Sequence, residues 1–270
     1  MHYLKRNTKF SILAFLIIVL SITISISTLA KTEVYFSLSD NPQKEIIKNI
    51  NQAQAFINIA MYVFTDKELA LPLVDAQERG VKVRVYLDKE QVDYQYSQSS
   101  FLVQKGIKTR ISTNNYIMHH KFAIIDNRIL LTGSYNWTFS ANHRNDENLM
   151  VIDDPEIIKI FQNQFINLWT NKYSLERTRQ LYEIAKIDFL PTSPSPTSPK
   201  PEVQIIDINT ASQNELIKIL KISEPIARKI IALRDELGGF KEPQALTQLP
   251  EITNLEWEEW KEEGIIITVN

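Results

Sequence analysis

The stretch from Tyr116 to Asn148 gathers residue types that could act on a phosphate ester. His119 and Lys121 are two positions apart, so on a β-strand their side chains share one face while His120 points to the other. Basic groups beside a core cost free energy unless they have partners or a function. An imidazole can attack phosphorus and hold it covalently, and an ammonium can neutralise the phosphate oxygens in the transition state. The pattern predicts phosphodiester chemistry; the alternative is a core histidine beside a lysine whose charge reaches solvent.

Four later residues could complete such a site. Gly133 would let the backbone come close to whatever lies beside Ser134 and Asn136. Glu147 is the candidate carboxylate for the far ring nitrogen of His119, where it would fix the tautomer.

These residues need a scaffold, and the chain predicts one of strands alternating with helices. Helices should begin at Asn41-Pro42, where Asn caps and Pro is tolerated at the first position, and at Asp66. Asp126-Asn127 is predicted as a hairpin turn. The predicted strands are Glu33 to Leu38, Phe56 to Val63, Val81 to Leu87, Ile107 to Ile111, Met118 to Ile125, Ile129 to Thr132 and Asn148 to Ile152. This alternation predicts an α/β fold in which helices sandwich a sheet.

The combined pattern reads His119-x-Lys121-x4-Asp126, then Gly133-Ser134-x-Asn136, then Glu147-Asn148. It resembles the HKD signature of the phospholipase D superfamily, in particular the small members with one HKD motif: bacterial phospholipase D-like endonucleases and the mitochondrial cardiolipin hydrolase type. The similarity extends from about Glu33 to about Asn171. It implies the phospholipase D fold, a mixed β-sheet sandwiched by helices. It also implies catalytic roles for His119, Lys121, Asp126 and Glu147, substrate binding by Lys121, Ser134 and Asn136, and no metal or other cofactor.

The sequence contains a single such motif. Cleavage needs a nucleophile and, across the phosphorus, a group that protonates the leaving oxygen. A two-fold homodimer that brings two copies of His119 together would supply both, and the resemblance implies this arrangement. One His119 would form a phosphohistidine while its symmetry mate protonates the leaving group and then activates water. Asp126 would orient the motif, and His120 would face away as a core or interface residue.

Residues 1–30 predict export. Lys5, Arg6 and Lys9 precede an apolar run from Phe10 to Leu20, which is the layout of a secretory signal peptide. An uncleaved membrane anchor is the alternative, because Phe10 to Ala30 is long enough to span a bilayer. Either places the rest of the chain in the periplasm or outside the cell. The chain has no cysteine, which excludes disulfides and thiol nucleophiles.

Residues 31–187 form the predicted catalytic domain, and a Pro/Ser/Thr-rich linker at 188–203 separates it from residues 204–270. The last segment resembles the helix-hairpin-helix module of competence-type DNA receptors in Asn209-Thr-Ala-Ser, Ala227 to Arg234 and Gly239-Phe-Lys241. The resemblance implies a small all-α domain whose backbone N–H groups bind DNA phosphates.

Two features of this module bear on DNA binding. Lys221 and Ser223 stand where the first hairpin would carry glycine, and Glu251 and Thr253 where the second would. Residues 202–270 hold 7 Lys and Arg against 13 Asp and Glu, a net charge of −6, whereas nucleic-acid affinity comes mostly from basic residues. The sequence leaves two roles open for the module: binding DNA, or packing and docking of protein.

Three functions fit the sequence. The first is an exported, metal-independent phosphodiesterase that acts as an endonuclease on DNA or RNA. The second is a phospholipase D-type hydrolase of membrane phospholipids, suggested by the export segment and by a catalytic domain that is not basic. The third is a non-catalytic nucleic-acid receptor, against which the complete motif argues.

Overall fold

A computed structural model describes residues 30–188 and 203–270. The signal peptide or anchor predicted at 1–30 and the linker predicted at 188–203 lie outside the described residues, apart from their end positions. Within the described ranges, no helix combines the length and apolar character needed to cross a membrane.

A seven-stranded mixed sheet forms the centre of the larger domain. Its spatial order is β1-β7-β6-β5-β2-β3-β4. The β2, β3 and β4 strands run parallel to one another, and all other neighbours are antiparallel. The strands are β1 (Thr32–Phe36), β2 (Phe56–Met61), β3 (Lys82–Leu87), β4 (Lys108–Ile111), β5 (Lys121–Ile125), β6 (Ile129–Gly133) and β7 (Asn148–Ile152).

Helices cover both faces of this sheet, which confirms the predicted sandwich. Every residue of β2 is buried, as expected for a strand covered on both sides. Ile57 and Ile59 belong to the core on one face, and Phe56 and Ala60 to the core on the other, because side chains alternate along a strand. The helices of this domain are α1 (Pro42–Gln52), α2 (Lys67–Glu78), α3 (Ser99–Gln104), α4 (Phe139–His143), α5 (Pro155–Asn171) and α6 (Leu175–Ile184).

The helix starts follow the capping residues predicted from the sequence. The Asn41 side chain accepts a hydrogen bond from the Lys44 N–H, and Pro42 is the first residue of α1. Asp66 caps α2 by accepting from the Glu68 N–H. Such caps satisfy backbone donors that a helix cannot pair internally.

The C-terminal module is helical, as predicted, and contains a small sheet in addition. Its helices are α7 (Gln213–Leu220), α8 (Glu224–Leu237) and α9 (Asn254–Glu262). Two isoleucine-rich strands, β8 (Gln204–Asp207) and β9 (Ile265–Thr268), pair in parallel and join its two ends. Lys221 closes α7 with a φ of 50°, the left-handed conformation that glycine usually adopts at this place.

A buried ion cluster joins this module to the sheet. Arg84 on β3 is 1% exposed, and its Nη2 lies 2.9 Å from Glu256 Oε1 and 2.7 Å from Glu259 Oε2. Its Nη1 donates to Asn58 Oδ1 at 3.2 Å. Burial alone would raise the pKa of Glu259, but the charge and hydrogen bonds of Arg84 outweigh it and hold that pKa well below its usual range.

The turns of both helical hairpins also contact the catalytic domain. The Ser223 hydroxyl donates to the carbonyl of Gln54, and Asn127 Nδ2 donates to the carbonyl of Pro250 at 2.6 Å. Glu251 is buried and pairs with Lys229 of α8. Some carboxylates of the module, namely those of Glu251, Glu256 and Glu259, therefore pair with basic side chains of the same chain.

We expect Arg84→Gln to lower the free energy of unfolding by about 3–5 kcal/mol, because buried Glu256 loses its cation and buried Glu259 retains only weaker partners such as the partly exposed Lys108, 3.5 Å from its Oε1. Arg228→Gln is the matched control, since Arg228 pairs with Glu224 on the surface and such pairs contribute about 0.5 kcal/mol or less. Urea unfolding of both variants measures the difference. Equal destabilisation would contradict the importance given to the Arg84 cluster.

Candidate active site

The candidate site lies at the end of the sheet where β5 begins. The structure starts this strand at Lys121, which pairs with Met61, rather than at the predicted Met118. The preceding residues are held by two other hydrogen bonds. The Tyr62 N–H donates to the carbonyl of His120 at 2.9 Å, and the Met118 N–H donates to Asp88 Oδ2 at 2.6 Å.

His119 and Lys121 are brought together, as the strand spacing predicts. Their common neighbour is Tyr62, whose ring centroid lies 4.6 Å from that of His119 and 5.2 Å from Lys121 Nζ. Lys121 Nζ donates to the His119 carbonyl at 3.1 Å. The His119 side chain is exposed, whereas Lys121 is 9% exposed. The site thus combines a reachable imidazole with an ammonium whose position is restrained.

Burial lowers the pKa of Lys121 below its ordinary value, and the negative charge of Glu147 opposes this shift. Glu147 is therefore close enough to act on the Lys121 ammonium electrostatically. Its Oε1 accepts a hydrogen bond from Asn145 Nδ2 at 3.0 Å, and its backbone pairs with Ser37. In the structure, the Glu147 carboxylate is thus hydrogen-bonded to Asn145. Its role in fixing the tautomer of His119 stays a prediction.

His120 points away from the His119 face. Its ring centroid lies 5.5 Å from that of Phe122, and its Nε2 lies 3.4 Å from Gln164 Nε2 on α5. The sequence predicts this orientation because consecutive side chains on an extended chain alternate.

Gly133 allows the end of β6 to approach the backbone of Asn148 closely, next to Ser134 and Asn136. Its φ is 151°, and a Cβ placed there would lie 2.2 Å from the backbone oxygen of Asn148. Ser134 Oγ accepts a hydrogen bond from the Asn148 N–H at 3.1 Å, which ties β6 to β7. Asn136 Oδ1 is buried and has no hydrogen-bond partner among the described residues. These positions agree with the predicted supporting role of Ser134, and phosphate binding by Asn136 stays a prediction.

Asp126 lies at the far end of β5 and contacts backbone rather than the His119 ring. It is 4% exposed, and its carboxylate accepts from the N–H groups of Gln54 at 2.9 Å, Ala55 at 2.8 Å and Phe56 at 2.9 Å. Asp126 and Asn127 have φ of 54° and 50°, as required at the two central positions of a tight hairpin turn. This geometry supports the predicted orienting role.

Sequence reasoning missed two neighbours of the motif, Tyr62 and Asp88. Asp88 is fully buried directly after β3, and besides Met118 it accepts from the Glu90 N–H at 3.0 Å. An acidic residue at the end of a buried alternating strand is a sequence feature that could have indicated it. Tyr62 follows β2 and has no comparable pattern in the sequence.

Comparison with known proteins places this fold and site in a family. Residues 46–169 match the family described as cardiolipin synthase, PLD-like domain, and residues 202–262 match the helix-hairpin-helix motif. The chain is 33% identical over 153 residues to mitochondrial cardiolipin hydrolase from Xenopus tropicalis, covering 57% of this chain and 68% of that protein. It is 36% identical over 144 residues to phospholipase D from Rickettsia prowazekii, covering 52% of this chain and 70% of that protein.

The solved structure of Nuc, a phospholipase D family member from Salmonella typhimurium, superposes with a TM-score of 0.51 at 28% identity. The superposition covers 53% of this chain and 96% of Nuc. The chain spans about half the length of several other mitochondrial cardiolipin hydrolases. The chain belongs to the phospholipase D superfamily, and it is a hydrolase of phosphodiester bonds.

We expect Asp126→Asn to cost about 2–3 kcal/mol of stability, because an amide cannot accept from all three backbone N–H groups and brings its own donor against them. Activity per folded molecule should fall by less than about tenfold, since Asp126 does not touch the reacting groups. Asp146→Asn, at an exposed position, is the matched control. Thermal unfolding and single-temperature assays separate the two effects; a far larger loss of activity at full stability would assign Asp126 to the chemistry.

Proposed function

We propose that the chain is an endonuclease-type phosphodiesterase that cleaves DNA or RNA through a phosphohistidine at His119. The observation that carries this proposal is the exposed His119 ring beside the restrained Lys121 ammonium, both in contact with Tyr62. A nucleophile must reach its substrate, and the cation that stabilises the transition state must be held in place. No metal is needed in this scheme, because lysine and histidine supply the positive charge.

In the first step, a nitrogen of His119 attacks phosphorus, and the bond from phosphorus to the leaving oxygen breaks. The leaving oxygen takes a proton from His119 of a second copy of the chain. In the second step, that same imidazole removes a proton from water, and the resulting hydroxide displaces His119 from phosphorus. Lys121 neutralises the phosphate oxygens throughout, and Asn136 donates to them.

A homodimer with a shared site is part of this proposal. The chain has one HKD motif, so the second imidazole must come from another copy. The surface next to His119 supports such an interface, because Tyr116 is 85% exposed and Ile117 is 44% exposed. Apolar side chains grouped at the rim of a site are typical of surfaces that become covered.

A nucleic-acid substrate is supported by the hydroxyl and amide groups of Ser112, Thr113 and Asn114, which line the cavity beside His119. Apolar and aromatic residues line the rest of this cavity: Tyr86, Ile117, Met118 and Leu168. The alternative substrate is a membrane phospholipid. It is supported by similarity to proteins named mitochondrial cardiolipin hydrolase and phospholipase D.

The C-terminal module acts in this proposal mainly as a packing partner of the catalytic domain. The turns that would present backbone N–H groups to DNA contact Gln54 and Asn127 instead. Because of these contacts, we expect the module to stabilise the catalytic domain. DNA binding by the rest of its surface stays a prediction.

Export is also part of the proposal and rests on the N-terminal sequence. Basic residues followed by the apolar run from Phe10 to Leu20 are typical of a secretory segment. Expression of the full chain in a bacterial host should place it outside the cytoplasm. Mass spectrometry of its N-terminus would distinguish cleavage from anchoring, and recovery only from the cytosol would refute export.

His119→Ala should lower turnover by roughly 10³-fold or more, the scale of losing a covalent catalyst. The assay measures cleavage of plasmid DNA, single-stranded DNA, RNA and phospholipid vesicles in the presence of EDTA. His143→Ala is the matched control, because His143 is exposed and lies outside the motif.

Near-normal activity of His119→Ala would refute the nucleophile. Loss of wild-type activity in EDTA would refute the metal-free scheme. Head-group release from vesicles with all nucleic acids intact would replace the nuclease by the phospholipase alternative.

A further inference from the structure

A cavity of about 310 Å³ opens beside the candidate active site. His119 and His120 are both among its lining residues, so it lies next to the candidate nucleophile. The chemistry proposed above uses only His119 of the two. The cavity is at the small end of the range that holds ligands, and it is large enough for part of a nucleotide.

The far side of this cavity is formed by residues of the second half of α5 and by Lys172, which follows it. Gln164 contacts the His120 ring at 3.4 Å, and Lys172 follows the last residue of the helix. The Lys172 carbonyl accepts from the Tyr86 hydroxyl at 2.6 Å and from the Thr113 N–H at 2.9 Å. These bonds fix the Lys172 backbone at the rim while its side chain stays exposed.

The charge of this cavity has one sign. None of its lining residues, all within the described part of the chain, is Asp or Glu, and Lys172 contributes a cation. Two other cavities, of about 280 and 560 Å³, mix both signs of charge: the first is lined by Lys82, Arg84, Lys108 and Lys221 with Glu259 and Glu263, and the second by Lys89 and Arg177 with Glu90 and Asp93. Burial lowers the pKa of His120, and the charges of Lys121, His119 and Lys172 lower it further. The His120 ring thus lies within reach of several positive charges and can form hydrogen bonds in the cavity.

We propose that this cavity is a subsite for a second phosphate, the one adjacent to the scissile phosphate on a nucleic-acid strand. Lys172 neutralises that phosphate, while His120 and Gln164 donate hydrogen bonds to it. Contacts of this kind position a strand without reading its bases. The subsite rests on the proposed nuclease function and specifies its substrate: a phosphodiester that carries a neighbouring phosphate.

The test compares three thymidine dinucleotides: one without a terminal phosphate, one with a 5′ phosphate and one with a 3′ phosphate. For the wild-type full-length chain, one phosphorylated form should have a kcat/KM roughly tenfold above the bare form, as expected for one charge-assisted contact. Lys172→Gln should reduce this ratio to about one, and Lys172→Arg should keep it. The ratio should also fall with added salt.

Lys159→Gln is the matched control, because Lys159 is an exposed lysine of α5 that does not line the cavity. It should keep the wild-type ratio. Equal hydrolysis of the three dinucleotides by the wild type, or an unchanged ratio in Lys172→Gln at normal thermal stability, would overturn the subsite. An effect of Lys172→Gln confined to vesicles containing a diphosphatidyl lipid would overturn its assignment to nucleic acid. Failure to cleave any nucleic acid would refute the nuclease function itself, and the subsite with it.

Discussion

The carboxylate of Asp126 supplies the constraint on which the arrangement of this enzyme depends. It accepts hydrogen bonds from three successive N–H groups at the start of β2, and so fixes the hairpin turn between β5 and β6 against that strand. Because β5 pairs with β2 in register from this point, Lys121 comes opposite Met61 and His119 comes beside Tyr62. A shift of one residue would turn the motif toward the other face of the sheet. The aspartate of the HKD motif thus contacts backbone at a distance from the imidazole, and its orienting role stays a prediction.

The segment before β2 and the β5–β6 hairpin turn also link the catalytic domain to the C-terminal module. Gln54, whose N–H binds Asp126, receives the Ser223 hydroxyl at its carbonyl, and Asn127 of the hairpin turn binds the Pro250 carbonyl. Together with the Arg84 cluster, these contacts engage both helical hairpins with the sheet. A net acidic module is repelled by a nucleic-acid backbone, but some of its carboxylates balance buried cations here. The negative charge of the module therefore serves packing against the catalytic domain, and it is not by itself a measure of which molecules the module binds.

Acids near the candidate active site form hydrogen bonds with groups other than His119 and Lys121. Glu147 acts on Lys121 electrostatically, while Asp88 is fully buried and uses its carboxylate on backbone N–H groups. Phosphate chemistry benefits from this distribution, since the cations remain available to the substrate instead of pairing within the protein. The same reasoning extends to the cavity beside His120, where Lys172 has no carboxylate among the lining residues.

The sequence by itself determined the superfamily, the alternation of strands and helices, and the shared face of His119 and Lys121. These follow from local rules: capping at Asn41 and Asp66, a tight turn at Asp126, and the two-residue period of a strand. Only the tertiary structure decided that β5 begins at Lys121, that Tyr62 and Asp88 adjoin the motif, and that Glu256 and Glu259 pair with Arg84. Each of these depends on contacts between segments far apart in the chain. Local periodicity carries no information about which distant segment will supply the partner.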